Sequence, residues 1–262
     1  MTEPQIRFDD GAAYEEFMGK WSQLAGDTFL QWLAPPPALR WADVGCGNGA
    51  FSQMLVERGA AASVHGIDPS PGQLEFARKR LPADTAQFTL GDATALPCAD
   101  GAFDAAVMAL VIFFVPDPAK GVAEMVRVVR PRGSVSAYAW DILGGGFPFA
   151  AMQEEMSALG SKPVWPPSIE AAQLDALRAL WLGAGLVQVE TREITVERTF
   201  ADFAAFWRIA QTGPGFAQRL AAMATGDLAL LQERLRARLP AGADGRITYS
   251  ARANAVKGTM PA

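Results

Sequence analysis

Between residues 39 and 140 the chain repeats one pattern: a short run of apolar residues, a break rich in Gly, Asp or Pro, then a polar stretch with helical spacing. The apolar runs predict strands at Leu39–Val44, Ser63–Ile67, Gln87–Leu90, Phe103–Leu110 and Ser134–Trp140. The polar stretches predict helices near Ala50–Arg58 and Pro71–Arg80 and one opening at Pro118, with Pro131–Gly133 turning back into the sheet. Strands that alternate with helices imply a parallel sheet covered on both faces, an α/β fold.

After Trp140 the rhythm changes. Gly144–Gly146 and the Pro-rich Pro163–Pro167 read as an irregular insertion over about 141–170. Ala171–Leu182 reads as a helix, Leu186–Val196 and Arg246–Val256 as strands free to pair antiparallel at a sheet edge. Phe200–Leu239 reads as a helical insertion broken at Gly213–Gly215. Tyr14–Leu33, within a lid helix expected over about 12–33, completes a single domain spanning 1–262. Its core covers about 39–140, 171–196 and 246–258.

Half of the 262 residues are hydrophobic and 19% charged, enough to bury a sizeable core. A net charge of −5 disfavours binding to a phosphate backbone. The arginines of the last third sit among acids and read as a solvated helical face. Cys46 and Cys98 have no metal-site spacing, so no metal is expected. The acidic N-terminus has no signal-peptide core, and the longest apolar run, Ala105–Val115, falls short of the roughly 20 residues of a membrane span. A cytoplasmic location is expected.

The chemistry gathers where strands end. Asp43-Val44-Gly45-Cys46-Gly47-Asn48-Gly49 joins a strand to a helix. Its glycines allow a tight turn and bring a ligand against bare peptide groups, and the helix N-terminus behind them favours an anionic group such as a carboxylate. Asp68 follows the second strand and Asp92 the third, so all three acids meet at the carboxyl edge of a parallel sheet, where such folds bind ligands. A carboxylate after the second strand can accept both ribose hydroxyls; one after the third can accept an adenine amino hydrogen.

DVGCGNG (43–49), GIDPS (66–70), GDATALP (91–97), FDAAVMALVIFFVPDP (103–118) and EMVRVVRPRGSVSAYAW (124–140) together resemble the class I S-adenosylmethionine-dependent methyltransferases. The likeness is greatest to the branch containing the ubiquinone and menaquinone biosynthesis enzymes. It implies a Rossmann-like, doubly wound sheet of seven strands in the order 3-2-1-4-5-7-6, the last strand antiparallel. It further implies S-adenosylmethionine as cofactor, S-adenosylhomocysteine as product, and a small-molecule acceptor methylated by in-line displacement. Asp43 and the loop Gly45, Cys46, Gly47 and Gly49 would hold the methionine end. Asp68 would bind the ribose with Pro69 beside the adenine, Asp92 and Ala93 would meet the adenine, and Met108 and Ala109 would line the methionine portion with Leu110 against the ring, mostly through backbone.

Three positions depart from the family pattern. Asn48 stands where Thr or Ser is commoner, and its side chain can still cap the turn. Arg132 replaces the first glycine of a Gly-Gly turn. Val111-Ile112-Phe113-Phe114 is wholly apolar where many relatives carry a histidine. The single histidine, His65, reads as structural. Asp141, at the end of the fifth strand, can orient or deprotonate an acceptor or cap the next turn. Tyr14, Phe17 and Trp21 share one helix face and can close over a sulfonium cation or dock the helix. Trp165, Phe206 and Trp207 suit an apolar acceptor pocket. A non-methylating binder of the same cofactor stays open as an alternative. A nicotinamide oxidoreductase is disfavoured, because Gly45, Gly47 and Gly49 give G-x-G-x-G rather than G-x-G-x-x-G.

Overall fold

The computed structural model describes residues 15–213 and 215–262. Seven strands form one sheet: β1 (Arg40–Val44), β2 (Ser63–Asp68), β3 (Ala86–Leu90), β4 (Phe103–Ala109), β5 (Val129–Trp140), β6 (Val187–Phe200) and β7 (Ile247–Thr259). Their order is β3-β2-β1-β4-β5-β7-β6. β1 to β5 pair in parallel, and β7 runs antiparallel to both β5 and β6. Ala105–Met108 are fully buried, as a central strand covered on both faces requires.

The helices start where local chemistry allows. In α3 (Pro71–Arg80) and α4 (Pro118–Val128) a proline occupies the first turn, where its missing N–H costs nothing. Ser70 Oγ accepts the Gln73 N–H and Asp117 accepts the Lys120 N–H, capping these two helices. α1 (Lys20–Leu33) follows a π-helical turn at Glu15–Gly19 and packs beside α2 (Ala50–Glu57). At Gly26 in α1 an added Cβ would fall 3.2 Å from Tyr138 Oη and 2.9 Å from Met54, so the helix lies close against β5 and α2. α4 covers the opposite face together with α6 (Leu174–Gly183), whose buried Trp181 donates Nε1–H to the Val135 carbonyl at 2.8 Å.

Some boundaries differ from the sequence reading. Residues 129–133 join β5 rather than forming a separate turn: Val129 pairs with Phe103 before a register shift, and Arg132 takes a left-handed φ of 62°. The insertion expected to be irregular contains α5 (Ala150–Ala158), because Met152 and Met156, one turn apart, are both buried. The glycines and prolines at its ends masked that stripe. Ala171 and Ala172 lie in a 3₁₀ turn (Ile169–Ala172) before α6. β6 extends to Phe200, and the second insertion divides into α7 (Phe203–Ala210), α8 (Ala217–Ala221) and α9 (Thr225–Arg238). No helix among the described residues is long and apolar enough to cross a membrane.

Candidate functional site

The glycine loop between β1 and α2 is held in one shape. Gly45, Gly47 and Gly49 have φ of 76°, 53° and 77°, the left-handed region that glycine enters without steric cost. The Gly45 and Cys46 N–H groups donate to the Ile67 carbonyl at 2.7 and 3.1 Å, tying the loop to the end of β2. A Cβ on Gly45 would lie 2.5 Å from Val111, so the apolar exit of β4 seats against the loop. At Gly47 a Cβ would meet nothing nearer than 4.0 Å, which leaves this peptide open to a ligand.

Two acids border the loop. Asp43 is fully buried, and its Oδ2 accepts the Ser52 hydroxyl at 2.6 Å while Oδ1 has no partner. Burial pushes its carboxyl up to about 7, against a lowering by the Ser52 bond and with a smaller upward push from Asp68. A buried carboxylate oxygen without a partner is costly, and a cationic group beside it would offset that cost. Asp68 accepts the Gly47 N–H on Oδ2 and the Ser70 N–H on Oδ1, both at 2.9 Å. Its carboxyl is also raised by burial, with those two bonds opposing. Each of its oxygens still has capacity for a further donor such as a ribose hydroxyl.

Pro69 is exposed beside Asp68. Asp92 is exposed at the end of the third strand unit and accepts both the N–H and the O–H of Thr94 on Oδ1 at 2.7 Å, which lowers its carboxyl below the ordinary range. Ala93 is half-buried next to it. The structure thus brings Asp43, the loop, Asp68 and Asp92 to one edge of the sheet. Cys46 is buried, its thiol pushed up by that burial and by Asp43 and Asp68. Asn48 accepts the Ala50 N–H at 3.2 Å and so caps the turn.

The β4 end divides. Met108 turns its side chain toward α4, where its methyl lies 3.3 Å from a Cβ built on Gly121, and Ala109 is half-buried. Leu110, at φ 63°, faces an apolar cleft with Phe113, Phe114, Trp140, Ile142 and Phe147. Phe17 and Met18 from the N-terminal turn and Trp165 from the first insertion close its walls. The cleft encloses about 750 Å³ of space, its open mouth included.

Several candidates lie elsewhere. Asp141 is engaged on both oxygens: Arg252 Nε and Nη2 both donate to its Oδ2, at 2.9 and 2.5 Å, and the Gly144 N–H donates to Oδ1 at 3.1 Å. It fixes a turn and an ion pair. Trp21 is fully buried, its ring 5.2 Å from Tyr249 and 6.0 Å from the Arg198 guanidinium, so it docks α1 on the β6–β7 hairpin rather than lining the cleft. Phe206 packs in a ring cluster with Phe149, Phe200 and Tyr249, and Trp207 stacks on Phe203; neither lines the cleft. His65 bonds Thr89 Oγ1 at 2.8 Å and lies edge-on to Phe103, a structural place. Tyr14 lies outside the described residues. No cluster of three or more potential metal ligands occurs among the described residues.

Two features escaped the sequence reading. Glu15 bridges Arg80 and the Asn48 amide, and Arg80 Nε donates to the Asn48 carbonyl at 3.0 Å, so the N-terminal turn is latched across the glycine loop. No spacing rule joins residues so far apart in the chain. Arg219, grouped by composition with a solvated helical face, is instead part of the cleft wall.

Residues 42–137 match the family described as "Methyltransferase domain". An uncharacterized methyltransferase of Mycobacterium tuberculosis is 39% identical over 104 residues, 40% of this chain and 41% of the relative. A demethylmenaquinone methyltransferase of Renibacterium salmoninarum is 35% identical over 116 residues, 44% of this chain and 46% of the relative. The matched stretch therefore spans less than half the length of these relatives. Among solved structures, phosphoethanolamine N-methyltransferase 2 of Haemonchus contortus, in complex with phosphomonomethylethanolamine and S-adenosylhomocysteine, superimposes with a TM-score of 0.60 at 18% identity, covering 96% of this chain and 57% of the other. That likeness is one of fold.

Proposed function

We propose, for a chain whose residues 42–137 match the methyltransferase domain family, that it binds S-adenosylmethionine at the glycine loop and transfers its methyl group to a small, largely apolar acceptor. The observation that carries this reading is the unpartnered Oδ1 of buried Asp43 beside a left-handed glycine loop. A carboxylate so placed suits the ammonium of the cofactor's methionine end. Asp68 would take the ribose hydroxyls and Pro69 would flank the adenine. Asp92 and Ala93 would meet the adenine edge. Backbone at Ala109 and Leu110, with Gly45, Cys46, Gly47 and Gly49, would hold the methionine portion; Met108 contributes main chain only.

The cofactor supplies a methyl group already activated by positive sulfur. What this chain's residues contribute is position and dryness. Phe17, Leu110, Phe113 and Trp140 exclude water from the acceptor and restrict its approach. Among the described residues, the polar side chains on the cleft wall are Gln153 and Arg219, neither a base at neutral pH. Asp141 is tied to Arg252, and His65, on β2, is bonded to Thr89 of β3. The acceptor is therefore one that arrives already nucleophilic, such as an ionised carboxylate, a free amine or a thiolate, or that yields its proton to water.

The test is turnover. The purified full chain, given S-adenosylmethionine and a panel of apolar carboxylic acids, amines and thiols, is expected to form S-adenosylhomocysteine and a product 14 mass units heavier, detected by mass spectrometry, the roughly 14 units being one CH₂. Tight cofactor binding without turnover on any class would instead favour a non-methylating binder.

A further inference from the structure

The cleft has one feature its apolar lining does not need. Arg219, on α8, stands in a wall built from Phe17, Leu110, Phe113, Phe114, Trp140 and Phe216, with no acidic partner among the described residues. Thirteen ion pairs join acids and bases among the described residues, and Arg219 takes part in none of them. Its guanidinium is nonetheless held in place. Nε donates to Ser161 Oγ at 3.0 Å and Nη2 to the Ser161 carbonyl at 2.7 Å, with the Phe216 ring 5.9 Å away. Those bonds occupy one edge of the fork and leave the Nη1 hydrogens without a protein acceptor. Partial burial lowers the affinity of this guanidinium for its proton, though far too little to discharge it.

A rigidly held, uncompensated guanidinium at the wall of an apolar cleft is suited to a ligand anion, because the planar fork pairs with a carboxylate through two parallel hydrogen bonds. Gln153, from α5, lines the same cleft and adds a second polar side chain to its wall. The two come from different insertions, α5 from the first and α8 from the second, so the site is assembled only when both pack over the sheet end. We infer that the acceptor is an acid-bearing apolar molecule, its hydrophobic body among the aromatic rings and its carboxylate on Arg219. This rests on the methyltransferase reading of the cleft and narrows it to a substrate class. It assigns the acid as an anchor and leaves open which atom receives the methyl group.

The probe is a set of matched pairs, 2-naphthoate, trans-cinnamate and octanoate, each against its own amide. Binding to the full chain with S-adenosylhomocysteine present is read by quenching of tryptophan fluorescence, since Trp140 and Trp165 line the cleft. At least one acid is expected to bind tenfold or more tightly than its amide at neutral pH. R219M, which keeps the stem without the charge, should reduce that preference to below threefold, and R219K, which keeps the charge without the fork, should retain only part of it. Circular dichroism and unchanged S-adenosylhomocysteine affinity would show that R219M is folded. If no acid outbinds its amide, or the preference survives R219M, the inference is overturned. If the wild-type chain fails to bind S-adenosylhomocysteine at all, the reading beneath it falls first, and the two failures are told apart by that single control.

Discussion

Asp43 is the residue on which the proposed site turns. Burial raises its carboxyl to about 7 in the folded chain, against an ordinary value near 3.8. The folded state therefore holds more protons than the unfolded one between those values, and this residue's contribution to stability declines as pH rises from about 4 to 7, then levels off. A cation beside Oδ1 selects the ionised form. The affinity for S-adenosylhomocysteine should rise with pH by up to about tenfold per unit below 7 and flatten above about 8. Calorimetric titration from pH 5.5 to 8.5 checks this, with D43N expected to bind more weakly and without the slope. A wild-type affinity indifferent to pH would remove Asp43 from the cofactor site. The chain pattern made Asp43, Asp68 and Asp92 legible, because strand ends in a parallel sheet converge on one edge. It could not show which oxygen lacks a partner, since that depends on Ser52 folding back from α2.

Among the elements, the sheet was legible and the insertions only partly so. Strands β1 to β4 follow from apolar runs between glycine and aspartate breaks, and the antiparallel β6–β7 pair follows from two alternating segments with no crossover between them. The insertions resisted because their side chains pack by tertiary chance: α5 is held by Met152 and Met156, while Phe206 joins a ring cluster away from the cleft. Asp141 takes the turn-capping alternative, and its ion pair was hidden for the same reason. Its position at a strand end suggested chemistry, but its partner Arg252 comes from β7, far along the chain, and reaches it only because β5 and β7 are neighbours. The substitution D141N should therefore cost about 1–2 kcal/mol of stability and lower the melting temperature by several degrees while leaving turnover within about threefold. A large loss of kcat at an unchanged melting temperature would restore Asp141 to the chemistry.

For the molecule as a whole, the fold gathers the proposed cofactor edge, built by β1, β2 and β3, and the proposed acceptor cleft, built by the β4 and β5 ends with both insertions. Val111, packed on Gly45, stands where the two adjoin. The latch from Glu15 to Arg80 and Asn48 carries the N-terminal turn across the glycine loop, and Phe17 in that same turn enters the cleft wall and stacks 4.4 Å from Phe149. One short segment thus touches both halves. The central claim is that the glycine loop and its acids hold S-adenosylmethionine, and isothermal calorimetry of S-adenosylhomocysteine on the full chain and on D68A tests it most directly. The account predicts saturable one-to-one binding that D68A weakens at least about a hundredfold, as loss of hydrogen bonds to a charged acceptor requires. Wild-type binding that is absent, or an affinity unaltered in D68A, would contradict it.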